Sequence, residues 1–346
     1  MSVWDFKRST ASVQLLVAFG RERGHAEAEL LRGSGLSPAQ LADPNVEIAA
    51  VRELRVIANL LRLSGDAPGL GLSAGLRYHF TAYGFWGYGL VSSATAADAL
   101  RLALRFIPLT YAFTQISFHE QQGLGILRFD APDCADNLKR FVVERDVAAA
   151  ATLLHELAGP SFTLRRMALR EAPPRAGAVR EAPARLFGIE PVYGAASNHL
   201  AFDRAYLARA LPGANPVTAA MCEQLCSELV QRRRAAISTA EAVRLYLQAP
   251  ATRLPDLDGM ARQLNVSTRT LKRRLHSEGT SFRLLLEDCR RALADELLRD
   301  RRLRLGAVAE RLGFADLSSF SQAYKRWHGV PPSARRTPAA ARRPAR

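Results

Sequence analysis

Apolar positions recur at helical spacing twice in the last hundred residues, and the two patterns match. Leu257, Met260, Ala261 and Leu264 form one stripe, followed by a break at Asn265-Val266 and by Ser267, a residue type that caps a second helix. Leu305, Val308, Ala309 and Leu312 repeat the stripe 48 positions later; the break is then Gly313-Phe314 and the cap Asp316. Gly and Asn tolerate the left-handed turn conformation that such breaks need. Each following helix is two-faced. From Ser267 to His276, Leu271 and Leu275 point one way while Arg269, Lys272, Arg273 and His276 recur on the other side. From Asp316 to His328, Phe320, Ala323, Tyr324 and Trp327 oppose Ser318, Ser321, Gln322 and Lys325. A helix anchored in a small core and presenting Arg, Lys, Gln and Ser suits the DNA major groove, where these groups hydrogen-bond base edges. A merely solvated face would explain one such helix, but it accounts poorly for two.

The rest of the chain has a different texture. Residues 11–110 read as mostly helical, with stripes through Val13, Leu16, Val17 and Gly20, through Val51, Leu54, Ile57, Ala58 and Leu61, and through Leu100, Ala103, Leu104 and Ile107 as packing residues. From Tyr111 the period changes to two. Ile116 and Phe118 alternate with polar residues, Gln121-Gln122-Gly123 offers a turn, and Leu124 to Phe129 returns. Phe141 to Leu157 is a helix stopped by Gly159-Pro160, Phe162 to Leu169 a strand, Ala178 to Phe187 a helix and Leu200 to Phe202 a short strand. The expected fold is therefore an α+β N-terminal domain over 1–203, a linker over 204–237 carrying a helix from Val217 to Arg234, and an all-α DNA-binding domain of two helix-turn-helix units over 238–336. Ser238-x-x-Glu241 is a capping box that opens the last of these, and 337–346 reads as a disordered basic tail.

Charge sharpens this division. Residues 1–203 hold 21 Lys/Arg and 20 Asp/Glu, against 27 and 13 in 204–346, so the net +15 lies almost wholly with the helix-turn-helix repeat. Such a distribution is expected where only that part neutralises phosphates. No run of about 18 uncharged apolar residues and no basic-apolar-small leader is present, which predicts a cytoplasmic, nucleoid-associated protein with no membrane partner.

These residues resemble the DNA-binding domain of AraC/XylS-type bacterial transcription activators over about 240–336. The most specific part is Val308-Ala309-x-x-Leu312-Gly313-Phe314, then Asp316-x-Ser318-x-Phe320-x-x-Ala323-Tyr324-Lys325-Arg326-Trp327, closing with Gly329-x-x-Pro332-Ser333. Arg335 stands where the family pattern has Tyr. More loosely, Arg52 to Leu109 and Leu186-Phe187-Gly188 to Phe202-Asp203 resemble the arabinose-binding-like effector domain of the ornithine-utilisation and virulence regulators. The resemblance implies an activator with a DNA operator, an unknown small-molecule effector, RNA polymerase as a partner and a homodimer. Expected DNA-contacting residues are Thr268, Arg269, Lys272 and Arg273 in the first unit and Ser318, Ser321, Gln322 and Lys325 in the second, with the two recognition helices about 34 Å apart in successive grooves. A non-specific architectural DNA-binding protein is the alternative.

Other constellations weigh less. Tyr78, Phe80, Tyr83 and Trp86 belong to the densest aromatic cluster; core or dimer packing has the stronger case there, and an effector wall or lid the second. Gly71-Leu72-Ser73-Ala74-Gly75 matches a serine-hydrolase elbow, but Ser64 to Pro68 supplies no strand before it. A DNA-repair methyltransferase would need an activated Cys, whereas Cys134 lies among Asp133 and Asp136. Cys222 and Cys226 share a helix face without a His neighbour, and His79, His119 and His155 are scattered. No enzyme activity, cofactor or metal is expected. Arg232-Arg233-Arg234 is either a phosphate contact or a solvated run at a helix end.

Overall fold

The computed structural model describes residues 7–65, 67–132, 134–173, 187–236, 238–248, 254–264, 266–299 and 303–336. They form two compact units that divide between 237 and 238. The helix expected at 178–187 falls almost wholly outside the described residues, as do Asn265 and the tail 337–346.

In the first unit, β1 (Lys7–Ser9) leads into α1 (Ala11–Glu22), α2 (Glu27–Leu30) and α3 (Pro38–Ala42); β2 (Glu47–Ala49) precedes α4 (Ala50–Leu63), α5 (Leu70–Gly75), α6 (Phe85–Ser92) and α7 (Ala96–Arg105). The hairpin β3 (Gln115–Gln121) and β4 (Leu124–Asp130) follows, then α8 (Asp136–Ala158), β5 (Leu164–Ala168), β6 (Asn198–Asp203) and α9 (Pro216–Ala236). The main sheet is antiparallel in the order β3-β4-β6-β5. Its hairpin turns on Gln122 and Gly123, both at positive φ (50° and 78°), the pairing whose twist matches that of the flanking strands. The small β1–β2 sheet has three-residue strands, too short to show a period of two.

α8 is the axis of this unit. Leu127, Phe129, Leu200 and Phe202 of the sheet pack on one side of it with Val143, Val147 and Ala151. On another side α5 lies so close that a Cβ on Gly71 would stand 2.4 Å from the Phe141 carbonyl oxygen, and one on Gly75 2.4 Å from that of Arg145. The Gly-x-Ser-x-Gly stretch is thus a helical packing surface, its two glycines four residues apart and facing one neighbour. α9, expected within a linker, is packed into the first unit, where Cys226 and Val230 share a core with Trp86, Leu90 and Leu102. Burial pushes the Cys226 thiol up to about 11. Arg233 donates from Nε and Nη2 to Glu47, so it is committed within the protein rather than held out as a free charge. No helix among the described residues is long and apolar enough to cross a membrane.

The second unit is all helical: α10 (Thr239–Gln248), α11 (Leu257–Gln263), α12 (Thr268–Ser277), α13 (Phe282–Arg299), α14 (Leu305–Arg311), α15 (Leu317–His328) and α16 (Pro332–Arg336). α10 begins where expected, and Glu278 fastens its start. The Thr239 and Ala240 amides donate to that carboxylate at 2.8 and 2.7 Å; burial raises its pKa, but these donors outweigh burial and hold it below the usual range. α13 spans both halves, burying Leu285 near its start and Ala294 and Leu298, which join the core of Val308, Leu312, Phe320 and Tyr324, near its end.

Candidate nucleic-acid interface and effector cavity

α12 and α15 stand on the same frame. Each preceding helix ends in the same closing bond, Val266 N–H to Ala261 O and Phe314 N–H to Ala309 O, both 3.0 Å, with Gly313 left-handed at φ +73° in the second copy. The second turn is then one residue longer before its cap. Ser267 Oγ accepts from the Thr270 amide at 3.1 Å, and Asp316 Oδ1 from the Ser319 amide at 2.7 Å, which holds the Asp316 carboxyl below its usual pKa. Beyond the caps the period is therefore 49: Leu271 matches Phe320 and Leu275 matches Tyr324, all fully buried. In that register Arg269 corresponds to Ser318, Lys272 to Ser321, Arg273 to Gln322 and His276 to Lys325. His276 thus belongs to the same exposed face, although the candidate set omitted it; the signal was there in its i, i+7 relation to Arg269.

What the basic side chains touch sorts them. Arg290 donates from Nε to Leu312 O (2.8 Å) and from Nη2 to Gly313 O (2.9 Å), with its guanidinium over the Phe314 ring at 4.5 Å. It caps the end of α14. Arg326 and the Trp327 indole both donate to Glu287 Oε1 at 2.8 Å, and these bonds hold Glu287 below the usual carboxylate range. By contrast Arg269, Lys272, Arg273, Gln322 and Lys325 are exposed and have no side-chain partner among the described residues. Ser318 is exposed, Ser321 half-buried, and Thr268, at the first position of α12, half-buried.

The first unit contains a cavity of about 110 Å³, roughly eight times what a single water needs, between α7, α8 and the inner face of the sheet. Leu100, Ala103, Leu104 and Ile107 form one wall, so this stripe, read from sequence as packing, faces open volume. Tyr78, Tyr83 and Trp86 of the aromatic cluster also line it, while Phe80 does not and instead packs beside Trp86. Burial pushes the Tyr78 and Tyr83 hydroxyls well up from their ordinary values.

Behind the cavity is a buried charge network that the apolar periodicity did not announce. Arg145 donates to Glu53 Oε1 (2.7 Å), to the Tyr111 carbonyl (2.6 Å) and twice to Asp146 Oδ1 (2.8 and 3.1 Å). Arg8 reaches Glu53 Oε2 and the Tyr111 carbonyl at 3.3 and 3.2 Å, while Asp146 Oδ2 accepts the amides of Phe113 and Thr114 and the Thr114 hydroxyl. Burial disfavours the Arg145 charge, but Asp146, with Tyr78 and Glu53, outweighs it and keeps the guanidinium protonated. Two buried cations thus meet two buried anions.

Known families resemble successive parts of the chain. Residues 24–211 match the family described as the arabinose-binding domain of AraC transcription regulator, N-terminal, and residues 260–337 match a helix-turn-helix domain family. An uncharacterised HTH-type transcriptional regulator of Mycobacterium tuberculosis is 32% identical over 95% of this chain and 96% of its own length. The ornithine utilization regulator of Pseudomonas aeruginosa is 29% identical over 93% of this chain and 94% of its own. Among solved structures, transcriptional regulator CdpR from Pseudomonas aeruginosa is 26% identical, with a TM-score of 0.48 over 94% of this chain and 98% of that one.

Proposed function

Because the chain belongs to the AraC-type transcriptional regulators that carry an arabinose-binding-like N-terminal domain, we propose that it reads a specific operator with both α12 and α15 and answers to a small molecule held in its first unit. One observation carries the DNA half of this reading. Two helices on one repeated frame present polar and basic side chains that have no partner among the described residues. Arg269, Lys272 and Arg273 read bases in the first half-site, with His276 beside them; Ser318, Ser321, Gln322 and Lys325 do so in the second, and Thr268 contacts the backbone at the start of α12. An Arg fork matches the acceptor pair of guanine, and a Gln amide that of adenine.

The cavity supports the effector half, and the network behind it offers a route outward. Arg145 meets Glu53, Glu53 meets Arg8 on β1, β1 pairs with β2, and Glu47 of β2 holds Arg233 in the last turn of α9, four residues before the division between the units. Coupling of about 1–3 kcal/mol along this route would suffice for regulation. In this reading the protein acts in the cytoplasm on the nucleoid, is no enzyme, activates through RNA polymerase, and dimerises through the apolar residues left exposed on the packed pair α6 and α9, among them Tyr88 and Met221.

Binding-site selection with the purified full chain tests the DNA reading. The expected result is one enriched motif of two segments about one helical turn apart. Enrichment of no motif would establish the alternative, a non-specific architectural protein.

A further inference from the structure

We propose that the cavity takes a neutral, mostly hydrocarbon molecule carrying a hydrogen-bond acceptor such as a carbonyl oxygen, and that it excludes sugars. The inference rests on the effector reading above and specifies its ligand. It follows from an inventory of the polar groups in the cavity wall. Tyr78 shares its hydroxyl with Ser12 at 2.7 Å; Tyr111 uses its hydroxyl on Ser9 and the Ala82 carbonyl at 2.6 and 2.9 Å; Tyr206 donates to Ser161 O at 2.8 Å. Thr110 donates to Ile107 O at 2.8 Å, and both oxygens of Asp146 are occupied as described. Arg145 is spent on Glu53, Tyr111 and Asp146, and its charge is balanced.

Two donors remain. The Trp86 indole N–H is buried without a hydrogen-bond partner, in a side chain only 5% exposed. The Tyr83 hydroxyl also has no partner among the described residues, and its ring centroid stands 4.9 Å from that of Trp86. Both residues line the cavity, but the Trp86 Nε1 atom is sealed off from any water-sized space, so the spare donor open to a ligand is the Tyr83 hydroxyl, and the rest of the wall is Leu, Ala, Ile and Phe. A ligand oxygen that accepts from the Tyr83 hydroxyl gains one net hydrogen bond. A pentose brings several hydroxyls, and each one buried without a partner weakens binding by about 5- to 100-fold. A carboxylate would carry a net charge into a site whose own charges already cancel.

Matched probes test this on the full chain by titration calorimetry: acetophenone, its hydrocarbon counterpart ethylbenzene, benzoate and L-arabinose. Acetophenone should bind one per chain and about 3- to 10-fold more tightly than ethylbenzene, the range of one net hydrogen bond. Benzoate and L-arabinose should bind at least about 10-fold more weakly than acetophenone. Tyr83→Phe should erase the preference for acetophenone while ethylbenzene still binds, and Ala103→Phe, which fills the cavity from α7, should abolish both. Binding of L-arabinose or benzoate as tight as acetophenone, a preference that survives Tyr83→Phe, or no binding by either aromatic would overturn the proposal. Measuring operator affinity in the same samples separates the two readings. If L-arabinose alone shifts operator affinity and Ala103→Phe blocks it, the ligand class falls and the effector reading stands. If acetophenone binds as expected yet neither it nor any cavity-filling variant alters operator affinity, the ligand class stands and the coupling falls.

Discussion

Arg290 and Arg269 lie in one unit and differ in what their guanidinium groups touch, so the same substitution in each should separate stability from DNA recognition. Arg290→Ala removes two bonds to the carbonyls of Leu312 and Gly313, at 2.8 and 2.9 Å, and the contact with the Phe314 ring. A hydrogen bond from a charged donor contributes about 1.5–3 kcal/mol and the ring contact about 0.5–1 kcal/mol. The site is half-buried, so water recovers a good part of this when the side chain is cut, which leaves a net loss of about 2–3 kcal/mol. In a unit of this size each kcal/mol lowers Tm by about 4–8 °C, and the expected drop is about 10–20 °C. Arg269→Ala cuts an exposed side chain with no partner among the described residues and should change stability by no more than about 0.5 kcal/mol. Its effect belongs on DNA: a loss of about 1–3 kcal/mol at the preferred site, with relaxed choice at one base position. Calorimetry of the full chain, with the transition of the second unit identified by its rise on adding operator, measures the first effect. Titration of the selected site and its single-base variants measures the second. An unchanged Tm for Arg290→Ala would refute the capping argument, and a loss equal on all sequences for Arg269→Ala would make that residue a phosphate contact.

Three further outcomes follow from other parts of the molecule. Gly75→Ala should destabilise the first unit by about 2–3 kcal/mol in urea unfolding, since its Cβ would meet the Arg145 carbonyl oxygen at 2.4 Å, whereas Gly306→Ala, which meets nothing within 4 Å, should stabilise the second by about 0.5 kcal/mol; equal effects would refute the close-packing role of α5. Burial raises the Glu144 carboxyl to about 7 despite the Gly71 amide it accepts, so its folded pKa lies above its unfolded one; the stability linked to its proton is whole below pH ~4.5 and disappears as pH rises through ~7, on the order of 2–4 kcal/mol, and Glu144→Gln should flatten that slope. A fragment from Ile237 to Arg346, with 22 Lys/Arg and 11 Asp/Glu, should fold and bind the selected operator with a salt slope near that of the full chain if the latter binds as a monomer and about half as steep if the first unit dimerises it, and a fragment that stays effector-responsive would refute the assigned division of labour.

The helix-turn-helix repeat was legible because everything that specifies it is local: apolar stripes of period 3.6, a turn residue, and caps such as Asp316 within a few positions of each other. The one-residue slip between the copies was harder to see, because the first helices align at 48 and only the buried pairs Leu271/Phe320 and Leu275/Tyr324 show 49. The cavity was not legible. Periodicity reports that the face with Leu100, Ala103, Leu104 and Ile107 is apolar, and it is silent on whether that face meets atoms or open volume. Nor could pattern place Glu53 and Arg145 inside, since burying either alone would be prohibitive and their partners lie 92 residues apart in sequence. A trace existed in the run Glu144-Arg145-Asp146, three charges in a helical stretch from Phe141 to Ala151 that is otherwise apolar. The aromatic cluster divides for a similar reason: Tyr83 and Trp86 reach the cavity and Phe80 does not, although Phe80 and Tyr83 are the two ends of one 3-10 turn ahead of α6, so the difference is set by tertiary placement and not by residue type.

The excess charge can be read further once partners are known. In the first unit the cations are largely committed to anions of the same unit: Arg8 and Arg145 with Glu53, Arg77 with Glu22, Arg105 with Glu223, Arg204 with Glu120, Arg233 with Glu47. There a small net charge, 26 Lys/Arg against 22 Asp/Glu over residues 1–237, goes with a high proportion of paired groups. In the second unit the acidic side chains are spent differently, Glu278 on amides at a helix start and Glu287 shared between Arg326 and an indole. Few carboxylates are left to neutralise the recognition helices. Net charge alone would attract phosphate to every arginine alike, which gives affinity without choice of sequence. Choice requires side chains that are positioned by a rigid helix yet have donors to spare, and Arg269, Arg273 and Gln322 meet both conditions, whereas Arg290 and Arg326 fail the second.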